Sequence, residues 1–184
     1  MFFIQVIYKI KFWKNTDRIG PDIIWSYWRL FFRSTMVKLC QKKFRQFGNS
    51  SEIRPGAYVI GCSQISIGER VVIRPGTMLH GESDSLENTI LIEDDVLIGC
   101  GVHIYVENHN FIDPERLISE QGHSFAKQVV LKKGCWIGAN VIILPGVVVG
   151  CNSVVGAGAV ITKSIPNGVV AVGNPAKIAK IIWE

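Results

Sequence analysis

The chain has 184 residues, of which 48% are hydrophobic and 19% charged, with a formal net charge of +5. That is enough for one domain with a continuous core, and no apolar run reaches the roughly 18 residues needed to cross a bilayer. The surplus of positive charge lies in residues 1–48, with ten Lys/Arg against two Asp, while residues 49–184 carry ten against thirteen Asp/Glu. This balance disfavours nucleic acid as a partner.

The opening, MFFIQVIYKIKFWK, is apolar but broken by Lys9 and Lys11, with neither a basic leader nor a small-residue cleavage site, so it does not read as a signal peptide. Residues 1–48 read as a helical segment rich in basic and aromatic residues. Pro21-Asp22 predicts a helix start and Gly48-Asn49 a stop, with Ile24, Trp28, Phe31, Val37 and Phe44 at near-helical spacing between them. Such a helix can pack its aromatic face on the rest of the chain or on a neighbouring subunit. It can also lie on an anionic membrane surface as a peripheral contact.

Hexads begin at Ile53 and Val59, slip by two residues, and continue from Ile67 and Ile73 to a strand at Leu79. Polar residues 81–91 interrupt them. They resume at Ile92 and Ile98, reach a strand at Ile104, and stop again for residues 106–130. From Leu131 to Pro166 six hexads then run without a break: LKKGCW, IGANVI, ILPGVV, VGCNSV, VGAGAV and ITKSIP. Their first positions are all Leu, Ile or Val, and their third and fourth are turn-formers. A period of six fits neither a helix nor a flat strand; it fits a solenoid of short strands joined by tight corners.

Three hexads make one triangular coil. With both interruptions bulging at corners, Leu79, Ile104, Ile143 and Ile161 form one inward column, and Ile73, Ile98, Ile137 and Val155 another. His80 and Tyr105 then project outward on adjacent rungs. Gly99, Gly138 and Gly156 form a column without side chains beside Trp136, a strip where a thin ligand could lie against backbone or where only turn geometry is served. The outward apolar residues Leu97, Ile142, Val148 and Val154 predict an oligomer. Residues 167–184 read as a cap on the stack. Five cysteines, odd in number and never in a CxxC pair, suggest a reduced, cytoplasmic chain in which most of them are small core fillers.

A loop as long as 106–130 inside a repetitive fold is usually functional or disordered. It contains Glu107, Asn108, His109, Asp113 and His123, and its root is Tyr105. An imidazole accepts a proton near neutral pH, so a loop histidine beside a cleft suits a general base.

The hexads, the NHNF loop, and the segments CWIGAN, VVGAGAVITKSIP and VVAVGNPAKIAKII resemble the hexapeptide-repeat acyltransferases over roughly residues 50–182. Among these the galactoside/maltose O-acetyltransferase branch and its polysaccharide-modifying relatives are most similar. The resemblance implies an all-β, left-handed parallel β-helix, a homotrimer with active sites between subunits, acetyl-CoA as donor, and no metal. It makes His109 the base, eleven residues after Ile98. It places Trp136, Gly138, Ala139, Ala157, Thr162, Lys163, Lys177 and Lys180 at the donor, with backbone N–H groups near Gly138 and Ala139 as oxyanion donors. Many relatives have arginine where this chain has Lys177 and Lys180, and lysine lacks the bidentate fork. The acceptor would meet His80, Tyr105, Glu107, Asn108 and Asp84, with Glu87 nearby, and Glu107 or a main-chain carbonyl would orient the imidazole. Residues 1–48 do not resemble the N-terminal domain of the galactoside enzymes, which implies a different acceptor: a sugar hydroxyl of a surface polysaccharide or its precursor. The alternatives are N-acetylation of an amino sugar, a metal hydrase similar to the gamma carbonic anhydrases using His80, His103 and His109, and a non-catalytic scaffold.

Overall fold

The computed structural model describes residues 2–84 and 86–183. From Gln46 the chain winds as a left-handed parallel β-helix with three flat faces. The first face stacks Tyr58–Ile60, Met78–His80, His103–Tyr105, Ile142–Ile143 and Val160–Ile161. The second stacks Gln46–Phe47, Ile65–Ile67, Ile90–Ile92, Val129–Leu131 and Val148–Val149. The third carries Leu97–Ile98, Trp136–Ile137, Val154–Val155 and Val169–Val172, with Glu52–Ile53 and Val72–Ile73 as a separate pair beneath them.

The period of six works because two of its positions point inward and one turns the corner. In the six clean hexads every first-position aliphatic is buried. The fifth-position residues Cys135, Val141, Val147, Ser153, Ala159 and Ile165 are buried too. The fourth position adopts the left-handed conformation in five of the six: Gly134, Asn140, Gly146, Asn152 and Gly158 have φ between 51° and 81°. Glycine and asparagine reach that region at the least cost.

Leu79, Ile104, Ile143 and Ile161 align as one inward column, and Ile98, Ile137 and Val155 as another. Ile73 is buried below the second column, but its strand pairs with Glu52–Ile53 and not with Leu97–Ile98. Each of these side chains contributes about 1.5–3 kcal/mol by leaving water, so the stack is held by its repeated interior. Both interruptions leave the register intact, since Ile90 pairs with Val129 and His80 with Tyr105 across them. The slip of two residues after Val59 is taken up by a short 3-10 turn, Cys62–Gln64.

The N-terminal segment is helical but is not one helix from Asp22 to Gly48. It forms α1 (Phe2–Asn15), α2 (Ile24–Tyr27) running into a 3-10 turn (Trp28–Phe31), and α3 (Arg33–Lys43). Leu30 and Met36 would sit about 120° apart on a continuous helix. A break at extended Phe32 (φ −124°, ψ 118°) lets both reach the core. The near-helical spacing of Ile24, Trp28 and Phe31 therefore marks an exposed face, and the residues that pack are Ile23, Leu30, Met36, Leu39, Cys40, Phe44 and Phe47.

Both ends of the prism are covered. At the first coil, Arg18–Ile19 pairs antiparallel with Tyr58–Ile60. At the last, Lys177–Ile181 folds back on Val169–Val172, Ala176 N–H donates to Val160 O, and Ile165 bridges to Val149. The outermost strand carries two lysines, a common guard against edge-to-edge pairing. All five cysteines are free, and burial pushes the Cys40 and Cys135 thiols up to about 12, which suits inert fillers.

Candidate active site

Both insertions leave the prism at the same corner, between the first and second faces. One follows His80 and the other follows Tyr105, which lie on adjacent rungs. Together they wall a cavity of about 870 Å³. Its floor is the outward side of the first face. The rings of His80 and Tyr105 stack there with centroids 4.9 Å apart, and the Tyr105 hydroxyl lies 3.2 Å from His103 Nδ1. Tyr58 continues the ladder below His80.

The long loop is a stitched hairpin. Asn110 N–H donates to Gly122 O and Ser124 N–H to Asn108 O, and the Asn110 side-chain amide donates to the carbonyls of Gln121 and His123. Farther out, the Gln121 side chain clasps the loop by accepting from Asp113 N–H and donating to the carbonyls of Asp113 and Arg116. This hairpin sets His109 opposite His123, with ring centroids 4.2 Å apart, at the mouth of the cavity.

Of the residues expected at the acceptor, His80, Tyr105, Glu107, Asn108 and Asp84 all line this cavity with His109. Glu87 does not; its carboxylate pairs with Arg45 at 3.4 Å. Glu82, Ser83, Ser124 and Phe125 join the lining without having been singled out, as does His123, which was named in the loop but given no role. His123 carried a faint signal as the second histidine of the loop, but its partnership depends on hairpin register. The ring packed against His109 is that of His123. The lining holds three carboxylates and, among the described residues, no lysine or arginine.

His80 Nε2 is buried and has no hydrogen-bond partner among the described residues. Burial, and after it electrostatic interaction with His103 and Arg18, holds the His80 pKa below its ordinary value. Arg18 itself sits 5.1 Å from the Tyr58 ring and is tied to Asp22. Among the described residues of one chain, no group of three His, Cys, Asp or Glu side chains is placed to hold a metal ion.

The residues expected at the donor lie elsewhere, and none lines the cavity. Trp136, half exposed, stands outward on the third face, and Gly138, Ala139 and Ala157 follow it at the corner leading to the first face. Lys177 and Lys180 are exposed on the strand closing the third face. Thr162 and Lys163 lie at the cavity's own corner, two coils beyond Tyr105, or about 10 Å by sheet spacing.

Two expectations for this region change. Gly138 N–H donates to Val155 O at 2.8 Å, which removes it as an oxyanion donor. The glycine column is not a bare strip. A Cβ on Gly99 or Gly138 would come within 2.5 Å of the backbone nitrogen of Ala139 or Ala157 in the next coil, so coil-to-coil contact demands glycine there.

Comparison with known proteins bears on this arrangement. Residues 128–163 match the family model described as bacterial transferase hexapeptide (six repeats). A galactoside O-acetyltransferase of Lactococcus lactis subsp. lactis (strain IL1403) is 32% identical over 147 residues, covering 79% of this chain and 67% of that protein. A polysialic acid O-acetyltransferase of Escherichia coli O1:K1 / APEC is 35% identical over 140 residues, covering 73% of this chain and only 42% of its own length. Among solved structures, a galactoside acetyltransferase in complex with coenzyme A superposes with a TM-score of 0.70 at 26% identity, covering 97% of this chain and 80% of that one.

Proposed function

Given that the chain belongs to the hexapeptide-repeat acetyltransferases, we propose that it transfers the acetyl group of acetyl-CoA to a hydroxyl of a neutral sugar, with His109 as general base. The observation that carries this reading is the cavity itself: an imidazole on a rigid hairpin, held over an aromatic floor and ringed by polar groups. A sugar presents an apolar ring face and several hydroxyls. Tyr105 and His80 offer the first a stacking surface, and Glu82, Asp84, Glu107 and Asn108 offer the second hydrogen-bond acceptors.

In the reaction, an imidazole nitrogen of His109 takes the proton of the acceptor hydroxyl as its oxygen attacks the thioester carbonyl carbon. The tetrahedral adduct collapses, the carbon–sulfur bond breaks, and the imidazolium returns the proton to the leaving sulfur. The products are the acetyl ester and the free thiol of CoA.

A single chain holds only half of this site, because Trp136, Ala139, Ala157, Lys177 and Lys180 lie on or beside the third face, away from the cavity. A homotrimer in which the third face of one subunit approaches the cavity of the next joins the halves. Two apolar surfaces support such an assembly: the outward column Leu97, Trp136 and Val154, and the exposed side chains Phe111, Ile112 and Phe125 of the long loop. Lys177 and Lys180 would then meet the nucleotide phosphates. Five free cysteines suit a reducing compartment, and the reading places the reaction in the cytoplasm, on a surface polysaccharide or its precursor.

The three carboxylates favour a second reading, transfer to the nitrogen of an amino sugar, since they would attract an ammonium group. The deciding experiment is a screen of neutral, amino and acidic sugars with acetyl-CoA, following thiol release with His109→Ala as the blank. Neutral sugars as the best acceptors support the first reading, and amino sugars support the second. Release that persists unchanged in the folded His109→Ala protein overturns both.

A further inference from the structure

We propose that α1 and the aromatic turn beside it form a docking surface for an anionic phospholipid bilayer. Ile4, Ile7, Tyr8 and Lys11 follow the i, i+3, i+4, i+7 spacing and so form one stripe along α1. Ile4, Ile7 and Tyr8 are 74%, 67% and 75% exposed, and Phe3 beside them 80%. The side turned toward the body is narrow; among the residues of α1 whose burial is described, only Ile10 and Trp13 are half-buried. A lone helix of 14 residues is marginal in water, and this one exposes Phe3, Ile4, Ile7, Tyr8 and Phe12. Such a surface calls for a cover.

The charge pattern identifies the cover. α1 carries Lys9, Lys11 and Lys14 and no carboxylate. A second copy packed on it would bring like charges together without a counter-charge, whereas an anionic headgroup layer supplies one. The apolar surface also continues onto the next element. Lys14 Nζ lies 4.5 Å from the Trp25 ring, and Trp25, Trp28, Phe31 and Phe32 are exposed around Arg29 and Arg33. Tryptophan, tyrosine and snorkelling lysine or arginine are the side chains that settle at the boundary between headgroups and acyl chains. No helix among the described residues is long and apolar enough to cross a membrane, so the geometry is that of a helix lying in the interface. α1 is tied to the end of the prism, because Arg18–Ile19, which follows it, pairs with Tyr58–Ile60 of the first face. Docking would therefore hold the acceptor cavity near a surface where lipid-linked saccharides are built.

The test uses the full chain and flotation with two kinds of vesicle, pure phosphatidylcholine and phosphatidylcholine doped with phosphatidylglycerol. Binding is expected only to the doped vesicles and should weaken as salt rises. Lys9→Glu/Lys11→Glu/Lys14→Glu should lower the affinity by at least roughly 100-fold, taking three cations at an anionic surface. Ile7→Asp/Tyr8→Asp should abolish binding while leaving the melting transition and the solution mass unchanged. Failure to bind the doped vesicles overturns the proposal, as does equal binding to both kinds. A fall in solution mass on Ile7→Asp/Tyr8→Asp also overturns it and assigns the helix to an interface between copies. None of these readouts uses acetyl transfer, so the outcome stands apart from that of the acceptor screen.

Discussion

The clean hexads of residues 131–166 and the corner that carries the cavity are parts of one prism, yet their properties come from opposite features. In the hexads each residue repeats the task of the residue one coil away. An aliphatic fills the interior, glycine or asparagine turns the corner, and neighbouring coils approach so closely that Gly138 has no room for a side chain. At the corner the repeat stops twice, on adjacent coils. The two insertions enclose side chains that no repeat rule specifies. Regularity provides a rigid support, and the departures from it provide chemistry.

That contrast can be broken from either side. The largest expected effect lies at the corner: His109→Ala should reduce turnover by roughly 100- to 10,000-fold, the range for loss of a general base, with an unchanged melting transition. Initial rates of thiol release measure the first and calorimetry the second. A comparable loss of stability in that variant would make the histidine structural. In the prism, Ile104→Ala should cost about 2–5 kcal/mol by opening a cavity in a filled column, read from denaturant unfolding.

Two glycine substitutions sharpen the account of the repeat. Gly138→Ala places a methyl 2.5 Å from the Ala157 nitrogen and should destabilise by about 1–3 kcal/mol through overpacking. Gly158→Ala meets nothing within 4 Å, but its φ of +70° should cost about 1–2 kcal/mol as backbone strain alone. If Gly158→Ala proved the more damaging of the two, close approach between coils would not be what demands glycine.

The smallest effect concerns His80. Its folded-state pKa lies below the ordinary value of 6.5, so below pH 6.5 the unfolded chain binds a proton that the folded chain resists. The stabilisation that neutral His80 provides is complete above about pH 6.5 and is lost as pH falls toward the depressed folded value. Unfolding free energy measured through that window should rise with pH, and His80→Phe should flatten the slope. An unchanged slope in that variant would assign the dependence to other groups.

Much of this molecule was legible along the chain. The period of six, the inward columns of Leu79 and Ile98, the in-register stacking of His80 beneath Tyr105, and the protruding loop with His109 all follow from local pattern, because a solenoid coil contacts only its neighbours. Other features were decided only when the coils closed. Leu79 and Ile104 are 25 residues apart in sequence but adjacent in space, and the cavity that the two insertions enclose beside them depends on how both loops fold once the coils are wound. The facing of His109 and His123 was settled by the hairpin register of the loop. The break at Phe32 was set by which side chains could reach the core, which spacing along a helix does not encode. Short-range repetition writes itself into the sequence; the meeting of its interruptions is a property of the wound chain.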